Sequence, residues 1–143
     1  MTTNDKAYHE VELRVPFHDL DPLQIVWHGN YLKYFDIARF ALFENAGIDL
    51  VAYHQKTGYL FPVIKTATKY IVPLKYGDVI TCGATVLEAR IKIVIDFVIR
   101  RSGTDEICAK GRGEQVALKP PDMEMEFEIT ADIYKPLDRK SVV

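Results

Sequence analysis

The pattern of hydrophobic and polar positions begins with a strand. Residues 8–15 alternate, with Val11, Leu13 and Val15 on one side and polar side chains on the other. This period of two predicts a half-buried strand. Pro16 ends the strand or marks its edge, because proline has no N–H to donate to a sheet.

A long apolar pattern with helical spacing follows a loop at residues 17–29. Asn30 suits the N-cap of this helix, and Gly47 suits the left-handed position that closes it. The apolar face comprises Tyr31, Phe35, Ala38, Leu42 and Ala46, widened by Tyr34, Ile37, Phe40 and Ala41. Because this face covers more than half of the circumference, we expect a helix that is buried on most sides and wrapped by a sheet.

The chain beyond this helix is rich in strand-forming residues. After a short helix and a turn at residues 48–57, four such runs are separated by short turn sequences. They cover residues 60–72, 78–88, 91–101 and 106–118. The short connections predict antiparallel neighbours. Gly111 and Gly113 lie inside the last run, where they indicate a bulge or a close approach of the backbone.

The C-terminal region carries a weaker pattern. Residues 122–130 are a helix candidate, and the tail from Pro136 is expected to fray. The order of elements predicts a single α+β domain over residues 1–143. In this domain the long helix packs on one face of an antiparallel sheet of about five strands.

Composition narrows the function without identifying it. The 143 residues are 48% hydrophobic and 27% charged, which is typical of a globular domain. The net charge of −2 gives no reason to expect a nucleic acid or membrane partner. No signal peptide, membrane span, P-loop, dinucleotide fingerprint or serine nucleophile elbow is visible. Cys82 and Cys108 are expected to be reduced core thiols in a cytoplasmic protein, and the scattered histidines predict no metal.

Residues 17–31 are the segment that points to chemistry. They hold Asp19, Asp21, two of the four histidines and the only tryptophan, directly before the long helix. A carboxylate on such a loop can attack a substrate or activate water, while the first N–H groups of the helix stabilise an oxyanion. An Asp-Pro step also commonly begins a turn, so Asp21 has a purely structural alternative.

From Asp21 onward the chain carries the motif Asp21-Pro22-x-x-Ile25-Val26-Trp27-His28-Gly29-Asn30-Tyr31-Leu32-Lys33-Tyr34-Phe35-Asp36-x-Ala38-Arg39. This motif resembles the signature of hotdog-fold acyl-CoA thioesterases of the 4-hydroxybenzoyl-CoA thioesterase-like family. Further matches are Phe61-Pro62-Val63 and Tyr70-x-x-Pro73-x-x-x-Gly77-Asp78. The resemblance runs from about residue 9 to about residue 118, and it implies a central helix wrapped by an antiparallel sheet. One departure is Gln24, where many relatives carry glycine, and it puts the path of the loop in question.

The resemblance implies roles for individual residues. Asp21 matches the family's catalytic carboxylate, which acts as a nucleophile or as a general base for water. His28 matches the position whose backbone N–H points at the thioester carbonyl. The implied substrate-binding residues are Trp27, Gly29, Tyr31, Val63 and Ile64 near the acyl group, with Arg90 and Lys92 against the CoA nucleotide. Trp27 and Tyr31 are residue types that more often pack in a core than contact a substrate, and lining an acyl pocket is compatible with either role.

The resemblance also implies partners. Active sites of this family lie at a dimer interface, so we expect a homodimer or a homotetramer. The expected substrate is an acyl-CoA or an acyl group on an acyl carrier protein, with hydrolysis to the free acid and the thiol. No separate cofactor is expected because coenzyme A is part of the substrate. The acyl group itself is not readable from the sequence.

Several alternatives remain open at the level of sequence. Asp19 is a competing carboxylate, although we favour a role as a cap or acceptor for backbone N–H groups of the loop. Asp36 is a further candidate, although its spacing from Arg39 suits an ordinary ion pair. His28 is expected to act through its backbone N–H, and a direct catalytic role of its imidazole ring is the alternative. The basic strand residues also suit a solvated sheet face. A non-catalytic acyl-CoA-binding domain and a dehydratase are alternative functions on the same fold.

Overall fold

The computed structural model of the chain describes residues 6–139. Its elements are β1 (Tyr8–Arg14), α1 (Asn30–Asn45), α2 (Leu50–Thr57), β2 (Val63–Tyr70), β3 (Val79–Glu88), β4 (Ile93–Arg101), β5 (Ile107–Gln115), β6 (Leu118–Lys119), β7 (Glu124–Met125) and α3 (Ala131–Leu137). A 3₁₀ turn, Phe17–Asp19, lies between β1 and α1. The predicted first strand, long helix, short helix and four later strands are confirmed.

One antiparallel sheet contains five of the strands in the order β1-β3-β4-β5-β2. β2 and β3 follow each other in sequence, yet β2 pairs with β5 at the edge of the sheet. The expectation that short connections join neighbouring strands is therefore wrong for β2 and β3. Residues 71–78 instead connect the two sides of the sheet at one end. There the carbonyl of the fully buried Leu74 accepts a hydrogen bond from the N–H of Val26 (2.8 Å).

The helix α1 packs on the sheet through aromatic contacts. The ring of Phe35 stacks on that of Phe97 with centroids 4.8 Å apart and an angle of 19° between the planes. Gly111 lies directly opposite, because a Cβ built there would stand 2.4 Å from the ring of Phe35. The close backbone approach predicted at Gly111 is confirmed. A Cβ at Gly113 would meet Phe97 at an ordinary 3.6 Å.

The two ends of α1 are set differently. At its C-terminus, Gly47 has a φ of 79°, and the N–H of Ile48 bonds to the carbonyl of Phe43 (2.8 Å). This Schellman arrangement confirms the predicted closing position. At the N-terminus the prediction was wrong by one residue: Gly29 is the N-cap and has no side chain to cap with. The side chain of Asn30 donates instead to the carbonyl of Asp19 (2.8 Å).

One side of α1 remains exposed in the single chain. Its buried residues are Tyr31, Tyr34, Phe35, Ala38, Leu42 and Phe43. Ile37 is 40% exposed and Phe40 is 54% exposed. The expectation of burial on most sides is therefore wrong for one chain, because the sheet covers only one side of the helix.

The C-terminal region folds differently from its prediction. Instead of a helix at 122–130, β6 and β7 form a short antiparallel hairpin, and α3 follows it. The tail does not fray at Pro136, because Leu137 is fully buried and its carbonyl accepts the N–H of Ala7 (2.9 Å). Ile129, Ile133 and Leu137 recur every four residues and give this segment a buried stripe.

The two cysteines lie in the core, as composition led us to expect. Cys82 and Cys108 are buried free thiols, and burial raises the pKa of Cys82 to about 12. None of the helices within residues 6–139 combines the length and the apolar character needed to cross a bilayer.

The contact at Gly111 leads to a prediction of stability. Gly111→Ala places a methyl group 2.4 Å from the ring of Phe35, so helix and sheet must separate. We expect the free energy of unfolding, measured with urea, to fall by about 1–3 kcal/mol. The matched control is Gly113→Ala, whose methyl group has room and which should change stability much less. Equal effects of the two substitutions would contradict this account of the helix–sheet contact.

Candidate active site

The loop after β1 forms a tight turn that carries Asp21. The N–H of Asp21 donates to the carbonyl of Ile25 (2.8 Å), and the N–H of Gln24 donates to the carbonyl of Asp21 (3.0 Å). The carboxylate accepts the N–H of Leu23 through Oδ1 (2.8 Å). Its other oxygen has no hydrogen-bond partner among residues 6–139. One oxygen therefore fixes the turn while the other is available for chemistry.

The turn keeps a shape that glycine would adopt easily. Gln24 has a φ of 68°, in the left-handed region that side chains rarely occupy. The question raised by glutamine at this position is therefore answered: the loop takes the left-handed path despite the side chain. The hydrogen bonds on both sides of the turn hold it there.

Asp19 is a buried carboxylate rather than a second free one. It is 2% exposed, and it accepts hydrogen bonds from Nζ of Lys33 (2.5 Å) and from the hydroxyl of Tyr34 (2.7 Å). Burial opposes the charge of Asp19, but the hydrogen bonds from Lys33 and Tyr34 outweigh it and lower the pKa of the carboxyl group. The predicted structural role fits this geometry, although the carboxylate binds side chains of α1 rather than the backbone N–H groups expected.

The pKa of Tyr34 lies above its ordinary range. The larger cause is burial of the hydroxyl, and the smaller one is its hydrogen bond to Asp19. The hydroxyl of Tyr34 therefore remains a donor at neutral pH. This donor lies on the buried face of α1, where it pairs helix and loop through a charge-assisted hydrogen bond.

The start of α1 presents free backbone donors. Neighbouring N–H groups are occupied: that of Trp27 bonds to Asp19, and that of Asn30 bonds to Trp27. Within residues 6–139, the N–H groups of His28 and Gly29 have no acceptor. The carbonyl of His28 accepts the N–H of Tyr31 (3.3 Å) and the hydroxyl of Tyr70 (3.2 Å). These bonds hold the peptide between His28 and Gly29, and the bond from Asn30 to the carbonyl of Trp27 holds the preceding peptide, which carries the N–H of His28.

A cavity of about 210 Å³ brings the carboxylate and the helix start together. It is lined by Asp21, Ile25, Val26, His28, Tyr31, Tyr70, Ile71 and Pro73. The rings of Tyr31 and Tyr70 meet edge to face at 4.9 Å and close one side of it. Three predicted site residues, Asp21, His28 and Tyr31, thus surround one small space. The same cavity is thus lined by a residue with an unpaired carboxylate oxygen and by a residue with an unpaired backbone N–H, as far as residues 6–139 are concerned.

Two predicted residues lie beside the cavity rather than in its wall. Trp27 is 50% exposed, so its ring is not a core group. The ring covers Gly29, where a Cβ would stand 2.2 Å from Trp27. Gly29 therefore lets the indole lie over the first residue of the helix.

The remaining predicted residues lie at the opposite end of the sheet. Val63 borders another cavity, of about 430 Å³, together with Phe40, Phe61 and Leu118, while the adjacent Ile64 is 51% exposed. This cavity is larger than the one at Asp21, but it has no free carboxylate in its wall. Within a single chain it is separated from Asp21 by the length of β2.

Arg90 and Lys92 are also remote from Asp21 in a single chain. The guanidinium of Arg90 lies over the ring of Tyr134 at 4.8 Å and donates to its hydroxyl (3.2 Å). Lys92 pairs with Glu114 (2.6 Å). Neither residue lines the cavity at Asp21, and their binding of CoA stays a prediction.

Several members of the site were not recognised from the sequence as such. Tyr70, Ile71 and Pro73 line the cavity because β2 ends there, which depends on its pairing with the distant β5. Lys33 and Tyr34 reach Asp19 from the helix. A buried acid needs such partners, but local pattern does not show that Asp19 is buried.

Comparison with known proteins gives a consistent picture. Residues 23–108 match the family model described as the thioesterase superfamily. A protein of Bacillus subtilis (strain 168), provisionally named an acyl-CoA thioesterase, is 36% identical over 67 residues, which are 47% of this chain and 48% of that protein. The match thus spans about half the length of that relative. A protein of Synechocystis sp. (strain ATCC 27184 / PCC 6803 / Kazusa), provisionally named an esterase, is 28% identical over 80% of this chain and 69% of its own.

Solved structures share the fold. A 1,4-dihydroxy-2-naphthoyl-CoA thioesterase from Synechocystis superposes with a TM-score of 0.84 at 14% identity, covering 91% of this chain and 95% of that chain. A mutant 4-hydroxybenzoyl-CoA thioesterase complexed with 4-hydroxybenzoyl-CoA gives a TM-score of 0.80 at 20% identity, covering 91% and 98%. At these identities the likeness shows the hotdog fold alone.

Proposed function

The chain belongs to the thioesterase superfamily, and from that premise we propose that it hydrolyses an acyl-CoA to a free acid and coenzyme A. The observation that carries the proposal is the cavity lined by both Asp21 and His28, of which Asp21 has one carboxylate oxygen and His28 has a backbone N–H without a partner among residues 6–139. Coenzyme A is the proposed thiol because similar proteins are named for CoA esters. An acyl carrier protein presents the same thioester chemistry and remains the second proposed donor of the acyl group.

In the proposed reaction the thioester carbonyl oxygen accepts a hydrogen bond from the N–H of His28. Asp21 then acts in one of two ways. As a general base it takes a proton from water while the water oxygen bonds to the carbonyl carbon. As a nucleophile its own oxygen forms that bond, and water later hydrolyses the anhydride. In both routes the C–S bond breaks, the sulfur leaves as a thiolate, and proton transfer returns the enzyme to its starting state.

We propose a dimer in which the β2 edges of two chains meet. β2 is exposed along most of its length, and apolar side chains are also exposed around it. These are Ile37, Phe40, Val51, Leu60, Val63, Ile64, Tyr70 and Ile71. The opposite edge, β1, instead exposes Glu10 and Glu12. Apolar area supports association at β2 in preference to β1.

Antiparallel pairing of two β2 strands would complete the site. The Val63 end of one strand would then lie beside the Tyr70 end of the other, which borders the cavity at Asp21. The turn that carries Arg90 and Lys92 lies at the Val63 end of the sheet. These two cations would thus approach the cavity of the partner chain, although they are remote from the cavity of their own. A homotetramer made from two such dimers remains compatible with this arrangement.

Replacing Asp21 tests the proposed chemistry. Asp21→Asn keeps the size of the side chain and removes its charge, so the substrate should still bind. We expect kcat for thiol release to fall on the order of 10²–10⁴, with little change in KM. The substrate is chosen first, by measuring thiol release from a panel of aromatic and aliphatic acyl-CoAs.

Asp36→Asn is the matched control for this substitution. Asp36 is an exposed helix carboxylate paired with Arg39 (2.6 Å) and absent from the cavity wall, so its loss should leave kcat nearly unchanged. Normal turnover by Asp21→Asn, with inactivity of Asp36→Asn, would transfer the role to Asp36. Saturable binding of acyl-CoAs without thiol release from the wild type would favour the non-catalytic binding domain.

The dimer leads to a second prediction. Ile64→Lys puts a charge at the exposed β2 edge, and we expect monomers in light scattering together with loss of activity. Glu12→Lys at the β1 edge is the control and should keep both the dimer and the activity. An active monomeric wild type would contradict the shared site.

The two cations are tested by comparing substrates. Replacing Arg90 and Lys92 together with alanine should raise KM for CoA esters on the order of tenfold, the scale of a lost hydrogen bond to a charged group. Short pantetheine esters lack the nucleotide phosphates and should be unaffected. Equal changes for both substrates would show that the residues act elsewhere.

A further inference from the structure

We propose that Asp19 is a positioning residue, which holds the loop of Asp21 and the first turns of α1 in the one arrangement that catalysis needs. This inference rests on the proposed hydrolysis for its kinetic part. It goes beyond that proposal because it assigns a role in turnover to a carboxylate that does not line the cavity.

Asp19 contacts both halves of the site. Its backbone carbonyl accepts the N–H of Trp27 (3.0 Å) and the amide of Asn30 (2.8 Å), the residues that bracket the free donors of His28 and Gly29. Its carboxylate binds Lys33 and Tyr34, one turn further along α1. Asp21 follows Asp19 by two residues in the chain. A displacement of Asp19 would therefore move the catalytic carboxylate and the oxyanion donor relative to each other.

The carboxylate of Asp19 is held in one position because it is buried and both of its oxygens accept hydrogen bonds. A buried charge is costly unless it is paired, and here each carboxylate oxygen has its own donor on α1. Because the pKa of Asp19 is lowered, the charge is present at neutral pH and is lost only as the pH falls below the ordinary range of a carboxyl group. The imidazole of His18 is the remaining neighbour, 3.8 Å away and mostly exposed.

Position matters more for rate than for binding. Catalysis requires the reacting groups to stand within a few tenths of an ångström of their productive places, and a shift of about 1 Å can lower the rate 10²-fold. We call the contacts of Asp19 with Trp27, Asn30, Lys33 and Tyr34 the Asp19 clamp. Removing this clamp should reduce kcat more strongly than it raises KM. A residue that only stabilises the fold would leave kcat per folded molecule unchanged.

The test combines Asp19→Asn with a matched destabilised variant. We expect kcat of Asp19→Asn to fall on the order of 10–100-fold, with KM within about threefold of the wild type. Ile133→Ala, in the buried stripe of α3, should lower the melting temperature while kcat per folded molecule stays unchanged. Tyr34→Phe removes one hydroxyl and keeps the ring, so it should show a smaller loss of kcat even if Asp19→Asn folds poorly. An unchanged kcat in Tyr34→Phe and in folded Asp19→Asn would overturn the proposal.

A double substitution separates positioning from stability. If Asp19 acts by placing Asp21, then adding Asp19→Asn to Asp21→Asn should cost little further activity. A full additional loss in the double variant would overturn the proposal.

Hydrogen exchange keeps the two proposals distinguishable. If the wild type releases no thiol from any substrate, the proposed function fails, and the clamp is judged by exchange alone. Asp19→Asn should then speed the exchange of amides at residues 20–31 far more than of those in α3. Uniformly faster exchange throughout the chain would show that Asp19 only adds stability, and it would overturn the clamp.

Discussion

The structure depends on one contact, the stacking of Phe35 on Phe97 with the backbone of Gly111 beneath it. Aromatic rings provide much of the apolar area of a core, and a strand without a side chain lets the helix come close. This contact sets the height of α1 above the sheet. It thereby sets where the first turn of the helix lies relative to the end of β1, and the loop between these two points carries Asp19 and Asp21.

The loop shows how one sequence gives two carboxylates opposite environments. Asp19 and Asp21 are two residues apart, yet one is 2% exposed and fully paired while the other keeps an oxygen free at a cavity. The difference arises from the 3₁₀ turn, which directs Asp19 inward to α1, and from the left-handed conformation at Gln24, which closes the next turn around Asp21. The buried carboxylate is bound by side chains of α1, while its neighbour borders the cavity with one oxygen unpaired among residues 6–139.

Local pattern predicted those parts of the fold that local physics determines. The alternation of β1, the apolar face of α1 and the left-handed residue at Gly47 depend on neighbours in sequence, and all three are found in the structure. The partner of β2 depends on a contact between distant segments, so the pattern of single runs did not predict it. The hairpin formed by β6 and β7 is local, but its two-residue strands are too short to show an alternating pattern. Asn30 was assigned as a cap from its residue type, but the carbonyl of Asp19 binds its amide instead.

The residues of the candidate site also fall into those set by neighbours in sequence and those set by distant contacts. Asp21, His28 and Tyr31 are contiguous in the motif, and they meet at one cavity as expected. Tyr70 and its neighbours join them only because the sheet carries the end of β2 to that place. Arg90 and Lys92 lie at the opposite end of the sheet from Asp21, so a contact between them and the cavity requires a second copy of the chain.

The position of β2 has a consequence for how the chain is made. Synthesis proceeds from the N-terminus, so β2 leaves the ribosome before β5, its neighbour in the sheet of the same chain, and residues 71–106 separate them. An unpaired strand can form hydrogen bonds with the strands of other chains and aggregate. Natural edge strands reduce this aggregation by carrying lysines and other polar residues. The middle of β2 has the polar sequence Lys65-Thr66-Ala67-Thr68-Lys69. This segment can remain solvated in the time between the synthesis of β2 and that of β5. The large apolar residues of β2 are confined to its two ends, so the middle of the nascent strand carries little that could start an aggregate before β5 is made.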